Sequence, residues 1–286
     1  MERVCEPELM EEPSQAQAYA EADFSVSDDA FTDRVLALLA ERQQAATAAP
    51  GRPADAAGVA DRSASGSAAE SAAESAVESV ACQGAAAAFP SHDTPQPLRI
   101  LDLGCGPGNI SFRLARACPH AQVLGLDGAA AMLAIAQERL RAEPALIGRL
   151  RFHQACLPLP PAELEGLEGG FDLLVSNSLL HHLADPRVLW RQLETLAAPG
   201  AWLVLRDLRR PANPAAVAEL VARHAASASA QLRHDFEASL RAAFRLEEVA
   251  EQLRVADLGS LRLAEREDRY LDVWGPIETA CAAGSP

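Results

Sequence analysis

From residue 98 onward, short apolar runs alternate with segments whose large apolar residues return every three or four positions. LRILDL, QVLGLD, LRFHQA, FDLLVSNS and AWLVLRDL are bounded by turn-forming residues and read as strands. Between them, ISFRLARAC puts Ile110, Leu114, Ala117 and Cys118 on one side of a helix, and an Ala-rich helix runs from Ala129 to Arg141. DPRVLWRQLETLA is a third helix, with Asp185 as its cap and Pro186 at its first position. Strands and helices in this alternation predict a parallel sheet covered on both faces. Asn213 and Pro214 open a further helix that carries Val217, Leu220, Val221 and His224 on one side, within a helical insertion over about 211–245. Leu246, Val249 and Leu253 mark another helix. LRLAEREDRYLDVWG reads as two strands joined at Glu267 and Asp268, so the seven-stranded sheet is expected to end in an antiparallel edge.

Upstream, Phe31, Val35, Leu38 and Leu39 fall at i, i+4, i+7 and i+8, a helix with one buried face and Ser27 or Asp28 available to cap it. Residues 42–97 hold almost no large apolar side chain. Such a stretch buries too little surface to offset chain entropy and reads as a linker or insertion. The expected organisation is a tail and helical cap over 1–41, the low-complexity segment over 42–97, and an α/β domain over 98–280.

Composition narrows the partners. The 25 basic residues, all Arg, stand against 40 acidic ones for a formal charge of −15. That balance repels phosphate backbones, so nucleic acid is not an expected partner. MERVCEPELMEEP lacks the positive start and apolar core of a secretory signal, and no run of about 18 apolar residues occurs. The chain therefore reads as cytoplasmic and soluble, with no membrane partner. Its six cysteines are scattered without a CxxC pair, so free thiols are expected, with neither a metal site nor a disulfide framework.

The clearest chemistry lies in GCGPGN. Gly104, Gly106 and Gly108 directly follow a strand and precede a helix, so bare backbone amides are open to a ligand. A dinucleotide fold asks for GxGxxG, and Asn109 stands where its last glycine belongs. Asp127, at the end of the second strand and 19 residues after Gly108, is placed to accept hydrogen bonds from a ribose diol. Both adenosyl and dinucleotide cofactors need such an acid, so it does not separate them.

LDLGCGPGN, GLDGAAAML, FDLLVSNSLLHHLADP and PGAWLVLRDL, taken together, resemble the successive signature segments of class I S-adenosylmethionine-dependent methyltransferases. QAQAYAEADFS resembles the helix and loop that cover the cofactor in some small-molecule members. The resemblance implies a doubly wound Rossmann-like methyltransferase sheet with an N-terminal helical cap, and S-adenosyl-L-methionine as cofactor. It further implies that Asp102 and Gly104 lie by the methionine part and that Gly106 and Gly108 let the cofactor rest on the loop holding Cys105. Asp127, with Gly128 beside it, would hold the ribose, Met132 would pack on adenine, and Asn177 would face the methionyl group. The family often places an acid near Ala155 or Cys156 to bind the adenine amine. None occurs here, which leaves backbone groups at Cys156 for that contact.

Methyl transfer from a sulfonium is an in-line displacement in which positioning supplies most of the rate, so a dedicated base is optional. The candidates for one are His181, His182 and Asp207, with His234 and Asp235 behind them; for the two histidines, packing and backbone hydrogen bonding are the favoured reading. There is no N/D-P-P-Y or Pro-Cys segment after the fourth strand, and Asn177 stands where a metal-dependent catechol-type enzyme would place an acid. These absences point to a small organic acceptor. Arg206, Arg209 and Arg210 read as a solvated basic patch, and Phe24, Trp202 and Phe236 as core. Two alternatives remain at this level: a non-catalytic S-adenosylmethionine-binding regulatory or assembly protein, and an NAD-dependent oxidoreductase.

Overall fold

The computed structural model describes residues 1–6, 10–48, 96–167 and 170–278. Seven strands form one sheet: β1 (Arg99–Leu103), β2 (Gln122–Asp127), β3 (Leu150–Gln154), β4 (Phe171–Asn177), β5 (Ala197–Leu208), β6 (Arg262–Arg266) and β7 (Tyr270–Pro276). Their spatial order is β3-β2-β1-β4-β5-β7-β6. The first five run parallel, and β7 is antiparallel to both β5 and β6. The helices are α1 (Pro13–Glu21), α2 (Ser25–Ala48), α3 (Asn109–Ala117), α4 (Ala130–Arg141), α5 (Pro161–Leu164), α6 (Arg187–Leu196), α7 (Pro214–His224), α8 (Ala230–Ala242) and α9 (Leu246–Val255).

Alternation along the strands sorts the core into two layers. Leu101, Leu174 and Leu203 pack with Leu189, Trp190 and Leu193 of α6 and with Val249 and Leu253 of α9. Their neighbours Ile100, Leu173 and Val204 face the other way, onto Phe31, Val35 and Leu38 of α2 and Ile110 and Leu114 of α3. The chain thus leaves β1 and β4 toward opposite faces. Such a reversal opens a crevice at the carboxyl ends of adjacent strands, where open α/β sheets bind ligands.

Three local readings change. Helix α2 begins at Ser25, because Asp23 Oδ1 accepts from the Ser25 amide (3.0 Å) and hydroxyl (2.6 Å). The Asp28 amide is already bonded to the Phe24 carbonyl at 2.9 Å, so Ser27 and Asp28 lie inside the helix. The helix also continues past residue 41, and the segment read as low-complexity falls mostly outside the described residues. The arginines at and just after the end of β5 form no solvated patch. Arg206 is 5% exposed and forks onto Asp272 at 2.8 and 3.1 Å, Arg210 pairs with Glu248, and Arg209 meets Glu265 at 3.2 Å. Register explains the first pair: Arg206 and Asp272 are cross-strand partners between β5 and β7.

The Arg206 guanidinium also lies over the rings of Phe31 (5.4 Å) and Tyr270 (5.6 Å), so it joins the cap to the sheet. Asp272, 1% exposed, takes a second arginine, Arg266, at 3.0 Å. Asp272→Ala leaves a buried guanidinium without its counter-ion and should lower stability by about 3–5 kcal/mol. Denaturant unfolding measures this, and a loss below about 1 kcal/mol would show that the pair is exchanged for water at no cost.

Candidate functional site

At the end of β1 the backbone takes left-handed conformations at Gly104 (φ 69°), Gly106 (φ 53°) and Gly108 (φ 87°). The Gly104 and Cys105 amides both donate to the Leu126 carbonyl, at 2.8 and 3.0 Å, which folds the turn back over β2. Asp127 fixes its outer limb: Oδ2 accepts from the Gly106 amide at 2.7 Å and Oδ1 from the Ala129 amide at 2.8 Å. Each oxygen retains a further lone pair for a ligand. A Cβ built on Gly106 would meet nothing within 4 Å, so this position looks into open space that a side chain would fill. The other two glycines serve packing. A Cβ at Gly104 would meet Leu179 at 2.9 Å, and one at Gly108 would meet Phe112 and Phe152 at 2.8 Å.

The open space is a cavity of about 820 Å³. Asp102, Gly104, Cys105, Gly106, Asp127, Gly128, Met132, Cys156, Asn177, His181 and His182 line it together. Gly108 and Asp207 do not. Gly108 sits at the start of α3 beneath two phenylalanine rings. Asp207, 1% exposed, accepts from the Leu180 amide at 2.6 Å and lies 2.6 Å from His181 Nδ1. A buried carboxylate at a central strand end takes the nearest donors, so Asp207 holds His181 in place instead of reaching the cavity. His234 is also outside the lining, and Asp235 is within it.

A family model described as "Methyltransferase domain" matches residues 101–203, the stretch that carries the turn, Asp127 and the loop after β4. That stretch is similar to a methyltransferase domain, as its signature segments led us to expect. The chain is 41% identical over 116 residues to a trans-aconitate 2-methyltransferase of Deinococcus radiodurans, covering 40% of this chain and 38% of the relative. It is 33% identical over 119 residues to a 2-phytyl-1,4-naphtoquinone methyltransferase of Synechococcus elongatus, covering 41% and 48%. A solved O-methyltransferase family protein from Burkholderia thailandensis overlays with a TM-score of 0.48 at 21% identity, over 65% of this chain and 52% of that one. The chain spans less than half the length of these two curated relatives.

The cavity is roofed by residues that sequence reasoning placed elsewhere or missed. Phe24 and Phe236, expected in the core, line the cavity, as do Tyr19, Tyr270 and Arg269. Trp202 packs on the α2 face of the sheet. Tyr19 and Phe24 stack at 4.7 Å, and Ala16 of α1 packs on Ala129 and Met132 at the start of α4. Arg139 ties this roof to the turn, donating to the carbonyls of Ala20 (2.8 Å) and Pro107 (3.1 Å). Glu6 had no signal beyond a run of acids. It lies 3.4 Å from both His181 Nε2 and His182 Nδ1, on a strap held by Arg3, which donates to the carbonyls of His181 and Leu183 at 2.9 Å. The strap's Val4 amide also donates to the Arg241 carbonyl at 3.1 Å. Among the described residues no helix is long and apolar enough to cross a membrane.

Burial dominates the acid–base character of the floor. Asp102 is pushed up to about 7 by desolvation and by the nearby Asp127 charge, against the 2.6 Å hydrogen bond that it accepts from Ser111 Oγ. Asp28 is raised to about 6 by burial, offset in part by Arg113. Both pKa values lie above the unfolded value of about 3.9, so the unfolded chain loses these protons first and stability falls as pH rises. The decline starts near pH 4 and is complete above about pH 7. Asp102→Asn should therefore be more stable than the parent at pH 8, with the difference vanishing near pH 4. Thermal unfolding of the ligand-free protein at both pH values checks this, and an unchanged pH profile would show that Asp102 ionises normally.

Proposed function

We propose that the protein transfers a methyl group from S-adenosylmethionine to a small organic acceptor held in the same cavity. The observation that carries this reading is the make-up of the cavity lining: besides the glycine turn, Asp127, Met132 and Cys156, it holds Phe236, Tyr270 and Arg269, which offer an acceptor aromatic and charged contacts in the same space. The volume falls in the range of small-molecule sites, about 300–1,000 Å³. Relatives named for trans-aconitate and for a naphthoquinone methylate small organic molecules by name, which supports the same class here. The acidic balance of the chain argues against a nucleic-acid partner.

S-adenosylmethionine supplies an activated methyl group on a sulfonium. Asp127 would accept the ribose hydroxyls through its remaining lone pairs, Met132 and Cys156 would hold adenine, and Asp102, Gly104 and Asn177 the methionyl end. The bare Gly106 backbone would leave room for the cofactor at the turn. Tyr19 and Phe24 of the cap exclude water from the reacting groups, and the aromatic wall sets the acceptor in line with the methyl group. His181 and His182 are assigned to shaping that wall, with Asp207 holding His181 through Nδ1 from outside the cavity lining.

Incubation of the full chain with S-adenosylmethionine and a metabolite extract, read by mass spectrometry, should yield a product heavier than its precursor by one methylene together with the demethylated cofactor. Cofactor binding with no such product from any extract would favour the non-catalytic reading. Asp127→Ala should weaken cofactor binding by about 1–3 kcal/mol, because ribose hydroxyls lose a charged acceptor. Calorimetric titration measures the change, and unaltered affinity would remove Asp127 from the site.

A further inference from the structure

Two histidines of the cavity lining meet Glu6, which is not itself part of that lining, in a way that methyl transfer does not call for. Glu6 Oε1 lies 3.4 Å from His181 Nε2 and 3.4 Å from His182 Nδ1, and the three atoms are all within 4.8 Å of one another. Those separations are long for hydrogen bonds. The two 3.4 Å separations match the edge of a tetrahedron with metal–ligand bonds of about 2.0–2.1 Å, which is about 3.3 Å. The surroundings are also those of a metal site. Asp207 Oδ1, 2.6 Å from His181 Nδ1, accepts a hydrogen bond from that nitrogen in the tautomer that leaves the Nε2 lone pair on the Glu6 side. A carboxylate behind a ligating imidazole is the usual second layer of such centres. Ser239 Oγ donates to Glu6 Oε1 at 3.1 Å and fixes the third donor.

We propose that Glu6, His181 and His182 bind a divalent cation of the zinc class, with its fourth position open to the cavity. Two imidazoles and one carboxylate suit zinc and its transition-metal neighbours, whereas magnesium and calcium take all-oxygen sets. Charge is balanced in that state: the carboxylates of Glu6 and Asp207 offset a divalent ion bound by two neutral imidazoles. Both histidines line the cavity, which puts the centre at the edge of the space that holds small molecules. Three protein ligands with an open fourth position distinguish a centre that binds an exchangeable oxygen ligand from one that only braces the fold. Binding would also pin the strap of residues 1–6 to the loop after β4. No local pattern marks this cluster, because Glu6 stands 175 positions from His181.

The test uses tag-free, full-length protein stripped with a chelator and titrated with zinc or cobalt(II) salts. One equivalent should bind, and the cobalt form should show the visible absorption of a four-coordinate centre without a thiolate charge-transfer band. Glu6→Gln and His182→Gln should each weaken binding by about 100-fold or more, and Asp207→Asn by about 10–100-fold. Cys5→Ser, which alters an exposed thiol beside the strap, should bind as the parent does. Absence of saturable binding, unchanged affinity in both Glu6→Gln and His182→Gln, or a thiolate spectrum that Cys5→Ser abolishes would overturn the assignment. Should either variant lose its fold by circular dichroism, X-ray absorption of zinc-loaded parent decides. A shell of nitrogen and oxygen at about 2.0–2.1 Å supports the site, and sulfur at about 2.3 Å refutes it.

Discussion

The carboxylate of Asp127 organises the ligand-facing end of this sheet. Its two oxygens take the amides of Gly106 and Ala129, one on each side of β2's end, so the turn after β1 and the start of α4 are held to a single acid. Without that clamp, a turn with three glycines in left-handed conformations would have many other shapes to adopt. Burial raises the Asp127 pKa, and the two backbone donors work in the opposite direction, favouring the charged form that a ribose needs. The same contacts therefore shape the loop and keep an acceptor ready.

Around this point the N-terminal segments enclose the cavity on the side away from the sheet. Helix α2 packs Phe31, Val35 and Leu38 on the face that α3 also covers, and Arg206 stacks on Phe31. Helix α1 closes over α4 through Ala16, while Arg139 bridges from α4 to both the roof and the turn. The strap of residues 1–6 then reaches the loop after β4. One chamber results, lined by the glycine turn and Asp127 together with Tyr19, Phe24, Phe236 and Tyr270. A methyl transfer that depends on alignment and dryness is served by such a chamber without a dedicated base.

The parts legible in the sequence were those governed by local rules. Strand runs, the glycine turn and the acid after β2 depend on neighbours within a few positions, and the buried face of α2 follows from helical spacing at Phe31, Val35, Leu38 and Leu39. The parts that were not legible depend on residues far apart in the chain. Arg206 looked like surface charge because its partner, Asp272, comes from a strand 66 positions later. Phe24 and Phe236 looked like core because an aromatic residue that lines a cavity has the same local pattern as one packed beneath it. Glu6 belonged to an acidic run with nothing to mark it, and Gly108 kept the spacing of a ligand glycine although its role is to make room for Phe112 and Phe152.

A crystal structure of the full chain with S-adenosylhomocysteine tests the central claim most directly. The adenosine is expected with its ribose hydroxyls on the Asp127 carboxylate and its homocysteine sulfur over the turn at residues 104–108, pointing toward the aromatic wall. Density for the compound elsewhere on the molecule, with Asp127 bound to nothing but its two amides, would contradict it.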